Sequence, residues 1–214
     1  GKACRAIKAP MNHPDLNSLI KEMTCLANPA QALILSGFFK TGKGQYGEGD
    51  VFLGIKVPVL RSLVRKYRAM PLPDVLNLLH GRYHEHRLTA LLILVHKFEH
   101  SSEEPEKTLI YSKYLENTRY INNWDLVDLS APNIVGAYLL QRDRKILYQL
   151  ARSRDLWERR ISILLTYAFI KHGQSKDTFA IADILMDDRH DLIHKAVGWM
   201  LREAGKRVSG EEEK

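Results

Sequence analysis

Hydrophobic positions recur along the chain at spacings of three and four residues, which is the period of an α-helix. Helices are predicted after Pro14, after Pro29, in the segment ending near Met70 and in the segment ending at Gly81. Further helices are predicted at 84–98, 105–118, 124–140, 143–153, 156–171, 176–187 and 190–205. No run of alternating polar and apolar residues predicts a strand, so the expected fold class is all-α.

The predicted helices are joined by short polar links and recur in pairs about every 35 to 40 residues, a spacing typical of helical-repeat proteins. We therefore predict a helical solenoid, an α-α superhelix, rather than a compact bundle. We predict that residues 1–214 form a single repeat domain. Such a fold has a concave face on which extended partners bind.

The segment 41–50 interrupts the helical pattern with four glycines in ten residues. It lacks the spacing of a phosphate-binding P-loop and no strand precedes it, which argues against nucleotide binding. A flexible loop or a short hairpin is expected, and Lys40 and Lys43 are near enough to contact a phosphate backbone. The acidic tail 209–214 is predicted to be frayed.

Basic residues outnumber acidic ones, 32 to 25, which gives a formal net charge of +7. This balance favours a polyanionic partner. The two cysteines, Cys4 and Cys25, belong to no metal-ligand or CxxC pattern. We therefore expect no metal site, and we expect the protein to work in a reducing compartment. No apolar stretch is long enough for a membrane span and no signal pattern begins the chain, so we expect a soluble cytoplasmic protein.

The basic residues form three clusters on predicted helices. One lies on the third helix, one spans 142–160 and one lies on the last helix: Arg61, Arg65, Lys66, Arg68; Arg142, Arg144, Lys145, Arg152, Arg154, Arg159, Arg160; Lys195, Arg202, Lys206, Arg207. Each cluster alone is typical of a solvated helix face. Together, on successive repeats, they would line a positively charged groove that follows a duplex backbone.

Trp124 and Asp128 lie four residues apart, which places them on one face of a helix. An indole beside a carboxylate suits a reaction that builds positive charge, because the ring face attracts cations and the acid supplies the opposite charge. A core tryptophan next to a capping or internally paired aspartate is the alternative interpretation.

Four blocks of sequence resemble the AlkD family of DNA alkylation repair glycosylases. They are 52–58 followed by Arg61, then 123–128, 157–160 and 195–203, in the family's order. The resemblance implies a HEAT-like helical-repeat solenoid that holds double-stranded DNA in its concave basic groove. It also implies hydrolysis of the N-glycosidic bond of N3- or N7-alkylated purines, without a cofactor and without flipping the base out of the duplex.

The resemblance also implies roles for individual residues. Asp128 matches the catalytic carboxylate, and Trp124 and Trp199 match the aromatics that contact the deoxyribose of the damaged nucleotide. Arg160 matches an arginine that lies against the DNA backbone near the lesion, and Arg61 and Arg202 fall at positions similar to backbone contacts. With the lysines of the glycine-rich segment, the DNA-contact set that we expect is Arg160, Arg159, Arg61, Arg202, Phe38, Lys40, Lys43 and Lys56. Phe38 lies where the family can carry a tyrosine.

Two other functions remain open at this level. Related proteins with an inserted hairpin bind branched DNA without excising alkylated bases. The glycine-rich segment 41–50 could be such an insertion, so binding of branched DNA is one alternative function. A helical-repeat scaffold for acidic protein partners is the other, and it requires Trp124 to be buried and Asp128 to pair internally. For the DNA repair functions we expect a monomer associated with the nucleoid.

Overall fold

The computed structural model describes residues 15–212 and the side chains of residues 15–207, so Cys4 lies outside it. Within this range the chain is helical, which confirms the all-α fold class, and the single β-bridge joins Val51 and Tyr83. The first helices are α1 (Leu16–Cys25), α2 (Pro29–Phe38), α3 (Val57–Tyr67), α4 (Leu72–Leu79) and α5 (His84–His100).

The remaining helices are α6 (Glu104–Glu116), α7 (Trp124–Asp128), α8 (Ala137–Leu139), α9 (Lys145–Ala151), α10 (Leu156–Leu164), α11 (Thr166–Ile170), α12 (Lys176–Leu185) and α13 (Asp191–Glu212). A 3₁₀ turn at Thr118–Tyr120 and a π-helical turn at Pro132–Gly136 lie between them. The chain forms two compact units divided between Lys97 and Phe98, and each is described by itself. The predicted single domain and its groove stay predictions. None of the described helices is both long and apolar enough to cross a membrane.

In the first unit, the segment 41–50 forms a loop of consecutive turns rather than a hairpin. Side chains hold it from within, because Gln45 accepts a hydrogen bond from the Gly42 N–H and Glu48 accepts one from the Gly44 N–H. At its end, the Asp50 carboxylate bonds His84 Nδ1 at 2.9 Å and the Arg87 guanidinium at 2.6 Å. The glycines therefore serve a folded turn whose last residue is anchored to α5.

A buried carboxylate fixes the segment that follows this loop. Glu85 is 2% exposed and accepts hydrogen bonds from three consecutive backbone N–H groups, those of Leu53, Gly54 and Ile55. Gly54 has a φ of 82°, and a Cβ there would lie 2.1 Å from the Asn28 carbonyl oxygen. Only glycine fits this approach, which seats α2 against the segment that leads into α3.

In the second unit, the helix predicted at 124–140 is broken, so that prediction is wrong in its extent. Pro132 has no N–H to donate to the carbonyl of Asp128, four residues earlier, and helical hydrogen bonding fails there. The chain instead ends α7 at Asp128 and re-enters helix through the π-helical turn. The residue predicted to be catalytic therefore terminates a five-residue helix.

Two other predicted ends also move. The helix predicted at 156–171 is divided at Leu165 into α10 and α11, although Leu165 keeps helical backbone angles. The helix predicted to end at 205 continues to Glu212, across the start of the tail that we predicted to be frayed, and residues 213–214 lie outside the described range. No proline stops it, and Lys, Arg and Glu are good helix formers.

Gly136 lies where two helical segments of the second unit approach each other closely. A Cβ at this position would lie 2.3 Å from the carbonyl oxygen of Leu165 and 2.8 Å from Ala168 Cβ. We expect Gly136→Ala to lower the free energy of unfolding by about 1 to 3 kcal/mol, because neighbouring backbone must move.

Gly205 provides the matched control, since a Cβ there meets nothing within 4 Å. Gly205→Ala is expected to raise the free energy of unfolding by about 0.5 to 1 kcal/mol, as alanine does inside helices. Urea unfolding of both variants measures the difference, and equal effects at the two positions would contradict the close approach.

Candidate functional site

The candidate site is built around α7. The buried Asn123 caps this helix, and its side-chain oxygen accepts a hydrogen bond from the Trp124 N–H at 2.9 Å. Trp124 and Asp128 are the first and last residues of α7, so they lie one turn apart on one face, as their spacing predicts. Trp124 is half-buried and the Asp128 side chain is 16% exposed.

Asp128 is held by a bidentate ion pair with Arg160 on α10. Arg160 Nε donates to one carboxylate oxygen at 2.9 Å and an Nη donates to the other at 2.8 Å. The second Nη of Arg160 donates to the backbone carbonyl of Leu192, in the first turn of α13, at 2.6 Å. One guanidinium, 6% exposed, therefore ties α7, α10 and α13 together.

The surroundings of Asp128 disfavour the ionised form of its carboxyl group. Burial raises the pKa of Asp128, Asp125 also raises it, and the hydrogen bonds and charge of Arg160 only partly oppose them. The net pKa lies above the ordinary value for an aspartate. Because the folded protein favours the protonated form, this contribution to stability is present in acid and is lost as the pH rises through the raised pKa.

A buried hydrogen-bond chain supports the turn that follows Asp128. The Ser130 hydroxyl donates to the Leu126 carbonyl, and the Tyr114 hydroxyl donates to Ser130 Oγ at 2.9 Å. Tyr114 is fully buried, and burial raises the pKa of its phenol, with the nearby Asp128 charge acting in the same direction. This chain satisfies polar groups at the helix break and fixes the direction in which α7 ends.

Trp199 lies on α13, seven residues beyond Leu192. It is 37% exposed, and its ring lies 6.1 Å from that of Tyr167 on α11. Trp157, in contrast, is 7% exposed and belongs to the core. Exposure of a tryptophan on a helix that also contacts Arg160 is unusual for a residue whose only role is packing.

The basic cluster at 142–160 is largely used inside the second unit. Arg159 donates from Nε to Asp188 at 2.6 Å and from an Nη to two backbone carbonyls. Arg144 bonds Asp177 at 2.7 Å and lies 3.8 Å over the ring of Phe169. These arginines join neighbouring helices, whereas Arg202 on α13 is exposed.

The other residues predicted to contact DNA lie in the first unit, and all are exposed: Phe38, Lys40, Lys43, Lys56 and Arg61. Phe38, 61% exposed, ends α2, whose exposed residues are all apolar or glycine: Pro29, Ala30, Leu33, Ile34, Gly37 and Phe38. Lys40 follows with a positive φ of 52°. The structure thus places five predicted contacts in one unit and the Asp128 site in the other.

Sequence reasoning missed three features of the site. The Leu192 carbonyl and the Tyr114–Ser130 chain depend on which helices pack together, and no spacing along the chain predicts them. Tyr167 had a usable signal, because it lies seven residues after Arg160 within one predicted helix. An i,i+7 spacing returns a side chain to the same face.

Comparisons with known proteins agree with this architecture. Residues 19–214 match the family model described as DNA alkylation repair enzyme. A solved structure, described as a predicted DNA alkylation repair enzyme from Enterococcus faecalis, is similar with a TM-score of 0.64 and 17% identity, covering 86% of this chain and 85% of that one. At this identity the likeness shows the fold alone. No curated protein matches the chain.

The Asp128–Arg160 pair gives a stability prediction. Arg160→Ala leaves the largely buried carboxylate of Asp128 unpaired, so we expect a loss of about 3 kcal/mol in the free energy of unfolding at neutral pH. The pKa of Asp128 should rise further, so part of the loss should be recovered in mild acid.

Urea unfolding at several pH values measures both effects. Lys195→Ala is the control, because Lys195 forms an ion pair with Asp191 in which both side chains are about two-thirds exposed or more, 68% and 73%. It should change stability little. If Arg160→Ala lowers the free energy of unfolding as little as Lys195→Ala does, the Asp128–Arg160 pair is not needed for stability and the prediction is wrong.

Proposed function

The chain belongs to the DNA alkylation repair enzyme family, and on that premise we propose that it is a DNA glycosylase of base excision repair. Its proposed substrate is double-stranded DNA that carries a positively charged N3- or N7-alkylated purine. The proposed reaction is hydrolysis of the N-glycosidic bond by a monomer acting as a monofunctional enzyme.

The chemistry requires little more than an anion beside the sugar. An N3- or N7-alkylated purine already carries positive charge, so it leaves without a proton from a general acid. Positive charge then develops on the deoxyribose, as in other glycoside hydrolyses. Asp128 would stabilise that charge and orient the attacking water, and no step calls for a metal or a cofactor.

The aromatic residues would act on the same sugar. Trp124, one helical turn from Asp128, and the exposed Trp199 offer ring faces that attract a cation. We assign Arg160 to positioning rather than to direct DNA contact, because its three donor nitrogens bond Asp128 and Leu192. Reaction from the sugar side would leave the base in the duplex and would need no nucleobase pocket.

The placement of Trp124 and Asp128 on one face of α7 carries this proposal, and a contrast with other paired aspartates of the chain supports it. At Asp188, burial raises the pKa, but the hydrogen bonds from Arg159 and the His190 N–H and the charges of both residues together outweigh it, so the net pKa is lowered. At Asp50, His84 and Arg87 likewise outweigh burial. Asp128 has a bidentate arginine and still has a raised pKa. Such a perturbed carboxylate, one helical turn from a half-buried tryptophan, is more typical of a functional site than of a structural ion pair.

The incomplete burial of Trp124 and Trp199 weighs against the scaffold function. Asp128 does pair internally, as a scaffold requires, but Trp124 is half-buried and Trp199 is exposed. A residue kept only for packing gains nothing from exposure of its ring. The internal pair alone therefore does not favour a scaffold over an enzyme.

Release of N7-methylguanine or N3-methyladenine from methylated duplex DNA tests the proposal. Asp128→Asn should lower the release rate about 100-fold or more, because one preorganised charge is removed. Asp125→Asn is the matched control, since it removes a charge from the same helix and should keep activity. Wild-type release no faster than that of the Asp128 variant would overturn the proposal.

The pH dependence follows from the same pair of aspartates. Activity needs the Asp128 carboxylate, so it should fall as the pH falls through a pKa above the ordinary aspartate value. Because the Asp125 charge raises the pKa of Asp128, Asp125→Asn should move this acidic limb to lower pH. A pH–rate profile that is identical in the two proteins would contradict the role of Asp128.

Binding of branched DNA without base excision is the second candidate. It is favoured by two exposed lysines, Lys40 directly before the compact loop 41–50 and Lys43 within it. It predicts tighter binding to a four-way junction than to a linear duplex, and a loss of that preference in a Lys40→Gln/Lys43→Gln variant. A gel-shift comparison decides, with Lys21→Gln on α1 as the control. Equal affinities for the two DNAs would exclude this function.

A further inference from the structure

We propose that Tyr167 and Lys171 extend the Asp128 site along the DNA strand. In this proposal Tyr167 is a positioning residue that fixes the Trp199 indole, and Lys171 binds a backbone phosphate. The proposal rests on the proposed function and adds two residues to the same site.

Helices α10 and α11 present the relevant side chains on one face. The single residue between them, Leu165, has φ −62° and ψ −26°, so the helical direction continues. Lys171 also keeps helical angles, and its N–H bonds the Tyr167 carbonyl. Arg160, Tyr167 and Lys171 follow at spacings of seven and four, which return to the same side of a helix.

Helix α13 runs beside this face and contacts it at two levels. At the first level, Arg160 bonds the Leu192 carbonyl. At the second, seven residues further along both elements, the rings of Tyr167 and Trp199 lie 6.1 Å apart with an interplanar angle of 37°. This tilted contact limits rotation of the exposed indole, since tilted and offset ring pairs are attractive.

Lys171 lies one helical turn beyond Tyr167 on the same face. Its Nζ lies 5.1 Å from the centre of the Tyr167 ring, and its side chain is exposed. Among the described residues no carboxylate forms an ion pair with it. The ammonium is thus held over an aromatic ring, with its charge available to an anion.

The dimensions suit one strand of a duplex. A rise of about 1.5 Å per residue separates Arg160 from Tyr167 by about 10 Å and Tyr167 from Lys171 by about 6 Å. Each strand places one phosphate about every 3.4 Å along the duplex axis, so this span covers several phosphates. In the proposed arrangement these helices run along one strand, with the carboxylate and the indole at the reacting sugar and Lys171 at a phosphate further along.

The Lys171 contact is tested by binding, which does not depend on catalysis. The dissociation constant of an undamaged duplex is measured over a range of salt concentrations for wild type and Lys171→Gln. Loss of one phosphate contact should weaken binding and reduce the slope of log K against log salt by about 1.

Lys107→Gln is the matched control, because Lys107 Nζ lies 5.6 Å over the ring of Phe98 elsewhere in the second unit. Its salt slope should equal that of wild type. Identical slopes for wild type and Lys171→Gln would overturn the phosphate contact. If wild type releases no alkylated base, the proposed glycosylase function fails, and the salt slopes still decide this contact.

The Tyr167 role is tested by rates of N7-methylguanine release. Tyr167→Leu should lower kcat about 10- to 100-fold through misplacement of Trp199, with a smaller change in KM. Tyr167→Phe keeps the ring and should restore kcat. Thermal unfolding of both variants separates this effect from a loss of stability. A kcat for Tyr167→Leu equal to that of wild type would overturn the positioning role.

Discussion

The need to give the largely buried carboxylate of Asp128 a partner organises the second unit. Asp128 ends a five-residue helix, and its charge is compensated only because Arg160 reaches it from α10 with two donors. The same guanidinium bonds the first turn of α13, so the position of Trp199 further along that helix depends on this pair. A lysine has no planar fork with which to make these contacts. The ion pair is therefore both a structural joint and the setting of the proposed chemistry.

The break after α7 makes that arrangement possible. Pro132 ends helical hydrogen bonding behind Asp128, and the π-helical turn redirects the chain toward α11, where Gly136 allows backbone to approach backbone. Tyr114 and Ser130 satisfy the polar groups that the break exposes. π-Helical turns are frequent at functional sites because they aim a side chain that a regular helix would not. Here the turn leaves Asp128 at a helix end.

Much of the positive charge of the second unit is neutralised by ion pairs within that unit. The chain carries a net charge of +7, yet arginines in the densest cluster, among them Arg144, Arg159 and Arg160, bond carboxylates between helices of the second unit. In the first unit, Lys40, Lys43, Lys56 and Arg61 are exposed, and the exposed residues of α2 are apolar or glycine. For a DNA-binding protein, the phosphate contacts would then come from fewer residues than the clusters suggest, such as Arg202 and Lys171.

The amino-acid sequence by itself determined the all-helical class, most helix positions, and the pairing of Trp124 with Asp128 on one face, because these depend on local periodicity and spacing. It also carried the family resemblance, since that rests on short blocks in order. Pro132 was a local signal for the break in the 124–140 helix, whereas only the tertiary structure decided that Arg160 bonds Asp128 and that Arg159 and Arg144 pair with carboxylates of other segments. Those outcomes depend on which helices pack together, and contacts between residues about thirty positions apart leave no periodic signal in the chain.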